Sequence, residues 1–460
     1  MTDRQRQAVD LLIRGADIVC LDEAGTVVPD GAIAIAGNRI CWIGPSEDSG
    51  RLFHAGSTID GSGGIAMPGL IDTHVHTAQH LLRGKIAEIA RRERIKIPIW
   101  KNYYIPFEAM LDPDDVYLSA LACYANMIAV GTTCFAEAGG PHPEAMGRAA
   151  LETGIRGFLA RSTIDQGEAF PDSMRSSTDR ALETNVELVR QWAAQDRVRA
   201  WLSLRQIITC SPPLIRMTVE AAQDLDTRIH VHLCEGSYEV DYTMERFGKR
   251  PAEYMESIDA LGDFLHTAHS TLVSPGELDL YAERDCSVGH CPFNNYHVGP
   301  HPLLRMWQRG IRVGLGTDGA ASWSSLDIFR ASHAARIGQQ AVAGTPLHFH
   351  DIMPSEQLIR VATNGGAAAL GLQAEIGSLE VGKKADILIL ECGELDQLPR
   401  YDPLFAVAAM VVGRDVRTVV IDGGVVMKDR ELLTIDRDRL VHDLNARLPD
   451  IMDRFQSVAG

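Results

Sequence analysis

The chain lacks the features by which a sequence reveals export, a membrane anchor or a disulfide framework. None of its apolar stretches approaches the roughly 18 residues that a membrane-spanning helix requires. The apolar stretch at 9–13 is interrupted at once by Arg14 and Asp17, so it is not the core of a signal peptide. The nine cysteines are scattered and form no CxxC pair. We therefore expect reduced, mostly packing thiols in a cytoplasmic protein.

An excess of positive charge is also missing. The 44 Lys and Arg residues are outnumbered by 61 Asp and Glu residues, which leaves a net charge of −17. This balance argues against nucleic acid and anionic membranes as partners, because both select for a basic surface. The chain has 460 residues, of which 45% are hydrophobic and 23% charged, and this indicates a globular protein of two or three domains.

Short apolar segments separated by turn residues occupy both ends of the chain. They lie at 17–21, 32–35 and 39–43, and again at 384–390, 416–421 and 423–427. Segments of this kind, broken by Gly, Pro and Asp, predict β-hairpins. A polar helical stretch follows at about 436–448. We expect residues 1–67 and 373–460 to form the two halves of one small β-sandwich domain, with the helix appended.

Between these ends, at 68–372, short apolar segments alternate with helix-length stretches. Eight segments are predicted strands: 69–74, 131–138, 154–161, 198–208, 228–233, 265–269, 285–291 and 311–318. Predicted helices between them include 114–130, 176–194 and 302–309. This alternation predicts a parallel (β/α)8 TIM-like barrel, with an open doubly wound sheet as the alternative. The barrel is favoured because polar, ligand-type residues follow nearly every strand at its carboxyl end, where barrels carry their sites.

Histidines and one aspartate stand at the ends of four predicted strands. His74 and His76 close the first strand, and residues two apart on a strand face the same side. His232 ends the fifth strand, His269 the sixth and Asp318 the eighth. Imidazole and carboxylate are usual ligands of a catalytic divalent ion. The order and placement of these residues therefore predict a metal site at the mouth of the barrel.

The strings that carry these residues resemble those of the amidohydrolase superfamily over nearly the whole chain. They are PGLIDTHVH at 68–76, LLRG at 81–84, HLCE at 232–235, HCP at 290–292 and GLGTDGAAS at 314–322. Within the superfamily, the chain is most similar to the branch of S-adenosylhomocysteine and methylthioadenosine deaminases and triazine hydrolases. The resemblance implies that His74, His76, His232 and Asp318 bind one divalent metal, with Glu235 and His269 as proton-handling residues. It also implies a homo-oligomer that acts on a small molecule.

The implied residues suit hydrolysis. A metal with several protein ligands and an open position lowers the pKa of a water molecule and holds it beside an electrophilic carbon. Asp318 can accept the proton and deliver it to the leaving group, while His269 orients the nucleophile. Glu235 either protonates a ring nitrogen of the substrate or only hydrogen-bonds a neighbouring imidazole. The fourth strand has no Lys to bridge a second metal, so we expect one ion, with zinc favoured over iron, cobalt or manganese.

Several other histidines lie near these motifs. We expect His230 to support the ligands without binding the metal, and His290 to face the site. His80 either lines the pocket or begins the next helix. Solvated loop positions are expected for His297, His301, His348 and His350.

The residues placed to contact the substrate depart from the nucleoside deaminases of this branch. The Gly-Pro-His-Ser-Pro string that those enzymes carry after the fourth strand is replaced by Leu-Arg-Gln-Ile-Ile-Thr-Cys-Ser at 204–211. Trp323 follows the Asp318 motif, where an indole would narrow the pocket or make it more apolar. Glu108 either matches a ribose-binding glutamate of those enzymes or only opens a helix, and Arg161 either matches an arginine near substrate tails or pairs with a structural carboxylate. We therefore expect a smaller or more apolar substrate than adenosine.

Three functions follow from this reasoning. The first is hydrolytic deamination of an amino-heterocycle or amidine-type compound, which Glu235 favours. The second is hydrolysis of an N-substituted urea, amide or (thio)carbamate, which the altered pocket favours. The third is a scaffold without activity, which is disfavoured because every expected ligand position is filled.

Overall fold

The computed structural model describes residues 6–167, 169–349 and 351–458 of the chain. Within them the structure is mixed α/β, and its strands form three sheets. The strands are β1 (Gln7–Val19), β2 (Val27–Ala36), β3 (Arg39–Pro45), β4 (Phe53–Asp60), β5 (Ile65–Pro68), β6 (Leu70–Val75), β7 (Thr132–Glu137), β8 (Arg156–Leu159), β9 (Val198–Ala200), β10 (Leu202–Leu204), β11 (Ile229–Leu233), β12 (Leu265–His269), β13 (Ser287–His290), β14 (Arg312–Leu315), β15 (Ile387–Leu390), β16 (Val416–Ile421), β17 (Gly424–Lys428) and β18 (Glu431–Leu432).

Helices connect most of these strands. They are α1 (Ser46–Leu52), α2 (Lys85–Ala90), α3 (Ile105–Met110), α4 (Pro113–Ala129), α5 (Pro143–Thr153), α6 (Thr178–Trp192), α7 (Pro212–Asp224), α8 (Ser237–Phe247), α9 (Pro251–Ser257), α10 (Pro275–Glu283), α11 (Pro292–Val298), α12 (Leu303–Gln308), α13 (Gly319–Trp323), α14 (Ile328–Gln339), α15 (Ser355–Arg360), α16 (Gly366–Leu370), α17 (Pro403–Ala409) and α18 (Arg437–Val458). Shorter 3₁₀ turns lie at Thr77–Leu82, Asp172–Met174, Leu395–Gln397 and Gly413–Asp415, and π turns at Trp100–Tyr104, Gln340–Gly344 and Val361–Gly365. No helix in the described part of the chain is both long and apolar enough to cross a membrane.

Strands from both ends of the chain share one nine-stranded sheet. Its order is β18-β17-β16-β15-β5-β1-β2-β3, with β4 paired to β1. The two ends meet where β5 pairs antiparallel with β15, Pro68 opposite Ile387. The hydrogen bonds of a sheet can thus join segments more than 300 residues apart, which local propensity alone does not reveal.

The middle of the chain forms two parallel sheets, one of β6-β7-β8-β9 and one of β10-β11-β12-β13-β14. The sheets approach each other at both edges. On one side, Trp201 joins β9 to β10, and its N–H donates to the carbonyl of Leu159 at 2.8 Å. On the other side, the Thr73 hydroxyl of β6 donates to the carbonyl of Leu315 in β14 at 2.9 Å. The carboxyl ends of both sets of strands are therefore brought to one region.

Several predicted elements differ in extent from the structure, and two of them have a clear physical reason. The strand expected at 198–208 is split at Trp201 and ends at Leu204, because the chain passes between two sheets and then turns. The terminal helix continues to Val458 instead of ending near 448. Its added turns bury Phe455, whose ring lies 5.4 Å from that of Phe107, so apolar packing extends a helix whose first half is polar.

A buried ion pair fastens the terminal sheet to the parallel strands. The Arg156 guanidinium of β8 donates to both carboxylate oxygens of Asp386, at 2.8 and 3.1 Å, and to Asp422 at 3.0 Å. Only 6% of the Arg156 side chain and 3% of the Asp386 side chain are exposed. Removing one partner of such a pair leaves a buried charge without compensation.

We predict that Arg156→Met lowers the free energy of unfolding by about 3–5 kcal/mol, the usual cost of breaking a buried pair. Arg51→Met is the control, because Arg51 pairs with Asp48 at the surface, and such pairs contribute about 1 kcal/mol or less. Urea denaturation of both variants measures the difference. Equal stabilities for the two variants would contradict the role of the Arg156 pair.

Candidate metal centre and active site

Three imidazoles from two strands converge at the carboxyl ends of the parallel sheets. The ligand atoms of His74, His76 and His232 all lie within 4.8 Å of one another. Nε2 of His76 lies 3.2 Å from Nε2 of His232, and the two rings are stacked. Burial lowers the pKa of all three imidazoles well below its ordinary value, so they are neutral at physiological pH and their ring nitrogens can act as ligands.

The tautomer of His232 is set by the backbone. Its Nδ1 lies 2.8 Å from the carbonyl oxygen of Arg205, and a carbonyl can only accept. Nδ1 therefore carries the proton, and the lone pair of Nε2 faces His76. Nδ1 of His74 lies 2.9 Å from Nε2 of His230, which orients the His74 ring in a similar way. Outer partners of this kind are typical of metal-binding histidines.

Asp318 brings a carboxylate to the same point. Its Oδ1 lies 3.2 Å from Nε2 of His74 and 3.6 Å from Nε2 of His76. Its Oδ2 accepts from the Asn294 amide at 2.9 Å and from the Ser322 hydroxyl at 2.8 Å. Asp318 has a φ of +61°, a strained conformation that its N–H bond to the His74 carbonyl helps to hold. Three neutral imidazoles and one carboxylate fit a divalent metal.

Glu235 and His269 stand beside this cluster. Oε1 of Glu235 lies 4.0 Å from Nε2 of His269, whose ring is 4.8 Å from that of His74. The Asn295 amide fixes the His269 ring: its Oδ1 accepts the Cys291 N–H at 2.8 Å, so its Nδ2 donates to Nδ1 of His269 at 3.1 Å. Nδ1 is thus the acceptor, and the proton of His269 lies on Nε2, on the side of Glu235.

The comparisons with known proteins agree with this geometry. The model of the amidohydrolase family matches residues 65–426. The chain belongs to the amidohydrolase family. It is 31% identical over 449 residues to a 5-methylthioadenosine/S-adenosylhomocysteine deaminase of Pelotomaculum thermopropionicum, covering 97% of this chain and 99% of that one. It is also 29% identical to a 5'-deoxyadenosine deaminase of Methanosarcina acetivorans, with the same two coverages.

Solved structures show the same relationship. The crystal structure of an adenosine deaminase from Xanthomonas campestris with bound zinc superposes with a TM-score of 0.89 at 28% identity, covering 98% of this chain and all of that one. A triazine hydrolase from Arthrobacter aurescens gives 0.86 at 25% identity, with coverages of 95% and 99%. The family and the branch predicted from the sequence are therefore confirmed. The protein is a hydrolase of carbon–nitrogen bonds in small molecules, built on the amidohydrolase version of the TIM-barrel fold.

The predicted substrate-binding residues of this amidohydrolase are dispersed. Glu108 and Arg161 line the same cavity, about 200 Å³ in volume. Glu108 is 1% exposed, and the Arg205 guanidinium and the Gln79 amide each donate to it at 2.6 Å. Arg161 donates to Glu144 at 2.6 Å.

Trp323 lies apart from that cavity. It is 41% exposed and packs against His297 and Phe293 of α11, with ring centroids 5.0 and 5.6 Å away. It remains close to the cluster in the chain, because it follows Ser322, which holds Asp318.

The other histidines divide into two groups. His230 contacts His74 as described, and His80 and His290 are buried. Nδ1 of His290 lies 2.9 Å from Oδ1 of Asn295, which links it to His269. His301 was expected on a solvated loop, and this expectation is wrong. It is fully buried, stacks on His290 at 3.8 Å and donates to the carbonyl of His269 at 2.8 Å. His297 and His348 are exposed as expected, and His350 lies outside the described residues.

Several residues at the site were not singled out from the sequence. Asn294 and Asn295 orient Asp318 and His269, and Cys291 lies within 4.8 Å of the ligand atoms of His74 and His269 instead of packing elsewhere. Tyr104 is also near: burial, and then the charge of Asp318, raise the pKa of its hydroxyl. Asn294 and Asn295 directly follow the HCP string at 290–292 and the end of β13, and this position is the signal that could have found them.

We predict that His232→Ala removes most of the bound metal. Loss of an outer partner of a metal ligand usually weakens binding by about 10–100-fold, and loss of the ligand itself should exceed that. His348→Ala is the control, since His348 is exposed. Elemental analysis of freshly purified proteins gives the metal content. A full equivalent of metal in His232→Ala would contradict the proposed ligand set.

Proposed function

We propose that the protein catalyses the hydrolytic deamination of an amino-heterocycle or amidine-type compound. The observation that carries the proposal is the position of Glu235, which lies beside His269 but outside the cluster formed by His74, His76, His232 and Asp318. A carboxyl group there can protonate a ring nitrogen while water adds to the adjacent carbon. Relatives named as deaminases of adenosine-type compounds, and a triazine hydrolase of the same fold, support this chemistry.

The proposal includes one divalent metal ion held by His74, His76, His232 and Asp318. Zinc suits this donor set, and iron, cobalt or manganese would also fit it. The zinc of the Xanthomonas campestris structure supports the choice. When bound, the ion supplies a water molecule of lowered pKa at the reacting carbon. The fourth parallel strand, β9 with β10, carries no Lys to bridge a second ion.

In the proposed mechanism, three side chains move or hold protons. Asp318 takes a proton from the attacking water through the carboxylate that Asn294 and Ser322 orient, and passes it to the departing amine. His269 donates its Nε2–H to the oxygen that adds to the carbon. Glu235 gives a proton to the ring nitrogen, which keeps it, and as the carbon–nitrogen bond breaks Glu235 is reprotonated by the hydroxyl group that was added to the carbon. The products are the oxo-heterocycle and ammonia.

The substrate is proposed to be compact. Glu108 and Arg161 would bound a substituent in the cavity they line, and Trp323 would form part of the rim. Because the carboxylate of Glu108 already accepts from Arg205 and Gln79, it has little capacity left for the hydroxyls of a ribose. An amino-azine without a sugar fits this pattern better than a nucleoside.

We further propose that the two parallel sheets close into one barrel at 68–372 and that 1–67 and 373–460 form a composite sandwich. The hydrogen bonds at both sheet edges and the shared nine-stranded sheet support this. A cytoplasmic homo-oligomer is also proposed. All nine cysteines are free, which suits a reducing compartment.

The experiment is a panel of amino-heterocycles, ureas and carbamates assayed with metal-reconstituted enzyme for release of ammonia against other amines. We expect ammonia from an amino-azine, and a loss of about 10²–10⁴-fold in kcat for Glu235→Gln, which cannot donate the proton. Glu183→Gln is the control, because Glu183 is exposed on α6. Release of alkylamine or aniline from ureas, with no ammonia from any heterocycle, would replace deamination by the second hypothesis.

The orientation of the His269 ring depends on the amide of Asn295. Asn295→Leu removes the donor to Nδ1 of His269 and frees the ring to adopt the other tautomer. We expect kcat to fall by about 10–100-fold with the metal content unchanged, the usual effect of losing an outer partner. Elemental analysis beside steady-state kinetics measures both. A variant that loses metal and activity in parallel would show a structural role instead.

A further inference from the structure

Gln206 is a buried amide that holds Glu235. It lies in the turn after β10, where its N–H donates to the Thr209 hydroxyl at 3.2 Å and its carbonyl accepts from the N–H groups of Thr209 and Cys210, both at 3.1 Å. The side chain is 2% exposed, and Nε2 donates to Oε2 of Glu235 at 2.6 Å. The backbone is thus pinned while the amide extends toward the site.

The orientation of the amide follows from its partners. A carboxylate oxygen only accepts, so the atom that faces Glu235 must be the nitrogen. Nε2 also lies 3.3 Å from the Tyr238 hydroxyl. Oε1 is therefore turned away from Glu235, and it has no hydrogen-bond partner among the residues that the structure describes.

A buried acceptor without a hydrogen-bond partner is unfavourable and uncommon in folded proteins, so Oε1 of Gln206 is suited to accept a hydrogen bond from a ligand. Gln206 is one contact from the proposed proton donor and one residue from Arg205, whose carbonyl holds His232. His76 and Asp318 of the proposed metal site are also enclosed, at 6% and 5% exposed. A substrate ring nitrogen that reaches Glu235 therefore comes next to the Gln206 amide, which carries Oε1.

We propose that Gln206 is a specificity-determining residue, whose Oε1 accepts an N–H of the substrate next to the ring nitrogen that Glu235 protonates. This inference rests on the proposed deamination and names its substrate class more closely. Oε2 of Glu235 is engaged by Gln206, which leaves Oε1 for the ring nitrogen. The matching group is an azine in which a ring nitrogen is flanked by a carbon that bears a second amino group. A simple monoamino-azine offers only the N–H groups of its leaving amine, which lie on the opposite side of that ring nitrogen.

The test compares two substrates of equal size, a diaminotriazine and the aminotriazine in which a methyl group replaces the second amino group. Wild-type enzyme, Gln206→Met and Gln206→Leu are assayed for ammonia release, and binding of both compounds is measured by calorimetry. Gln195→Met is the matched control, because Gln195 is exposed. Thermal unfolding of each variant checks that it is folded.

We expect wild type and Gln195→Met to prefer the diamino compound by about tenfold or more in kcat/KM, since a site built to accept an N–H rejects an analogue that lacks it. In the Gln206 variants both substrates lose activity, because Glu235 loses a donor, but the preference should fall to about twofold or less. The ratio of the two kcat/KM values therefore distinguishes recognition of the second amino group by Gln206 from the hydrogen bond that Gln206 donates to Glu235.

Two results would overturn the inference: equal preference in wild type and the Gln206 variants, or no preference in wild type. A Gln206-dependent preference in binding without ammonia release would uphold the role of Gln206 and refute the proposed deamination. If wild type neither binds nor hydrolyses either compound, both proposals fall.

Discussion

The approach of two imidazole nitrogens to 3.2 Å is the constraint around which the site is arranged. Nε2 of His232 presents a lone pair toward His76, because Nδ1 of His232 carries the proton and donates it to the carbonyl of Arg205. In the proposed metal site both nitrogens bind the same divalent ion, and Asp318 adds a carboxylate oxygen at 3.6 Å from His76. Hydrogen bonds to outer partners orient the rings of His74 and His232, and burial keeps the imidazoles of the cluster neutral.

The proton-handling residues depend on amides in the same way. Asn295 cannot rotate its amide without losing the N–H of Cys291, so it keeps the Nε2–H tautomer of His269. Gln206 similarly fixes one oxygen of Glu235 and leaves the other free. Both His269 and Asp318 have positive φ angles, at +69° and +61°, which places backbone strain at the residues that the chemistry uses. The side-chain amides of Asn295 and Gln206 thus determine which atoms of His269 and Glu235 face the site.

Glu108, which the sequence resemblance matches to a ribose-binding glutamate, is half of a buried ion pair. The Arg205 guanidinium donates to its carboxylate at 2.6 Å, and the two side chains are 4% and 1% exposed. The backbone carbonyl of Arg205 also accepts from Nδ1 of His232. One residue thus contacts both a proposed substrate-binding carboxylate and a proposed metal ligand.

The sequence by itself determined the family and the alternation of strands and helices, because a two-residue spacing on a strand and short strings at strand ends are local. It also singled out His74, His76, His232, His269 and Asp318, which the structure brings together and whose roles stay proposals. The tertiary structure alone decided which side chains orient them. His301 was expected in solvent but is buried against His290, and Gln206 gained its role only from Glu235, 29 residues away. Such pairings depend on where distant turns pack and on which amide atom a neighbour leaves free, and neither is recorded in local sequence.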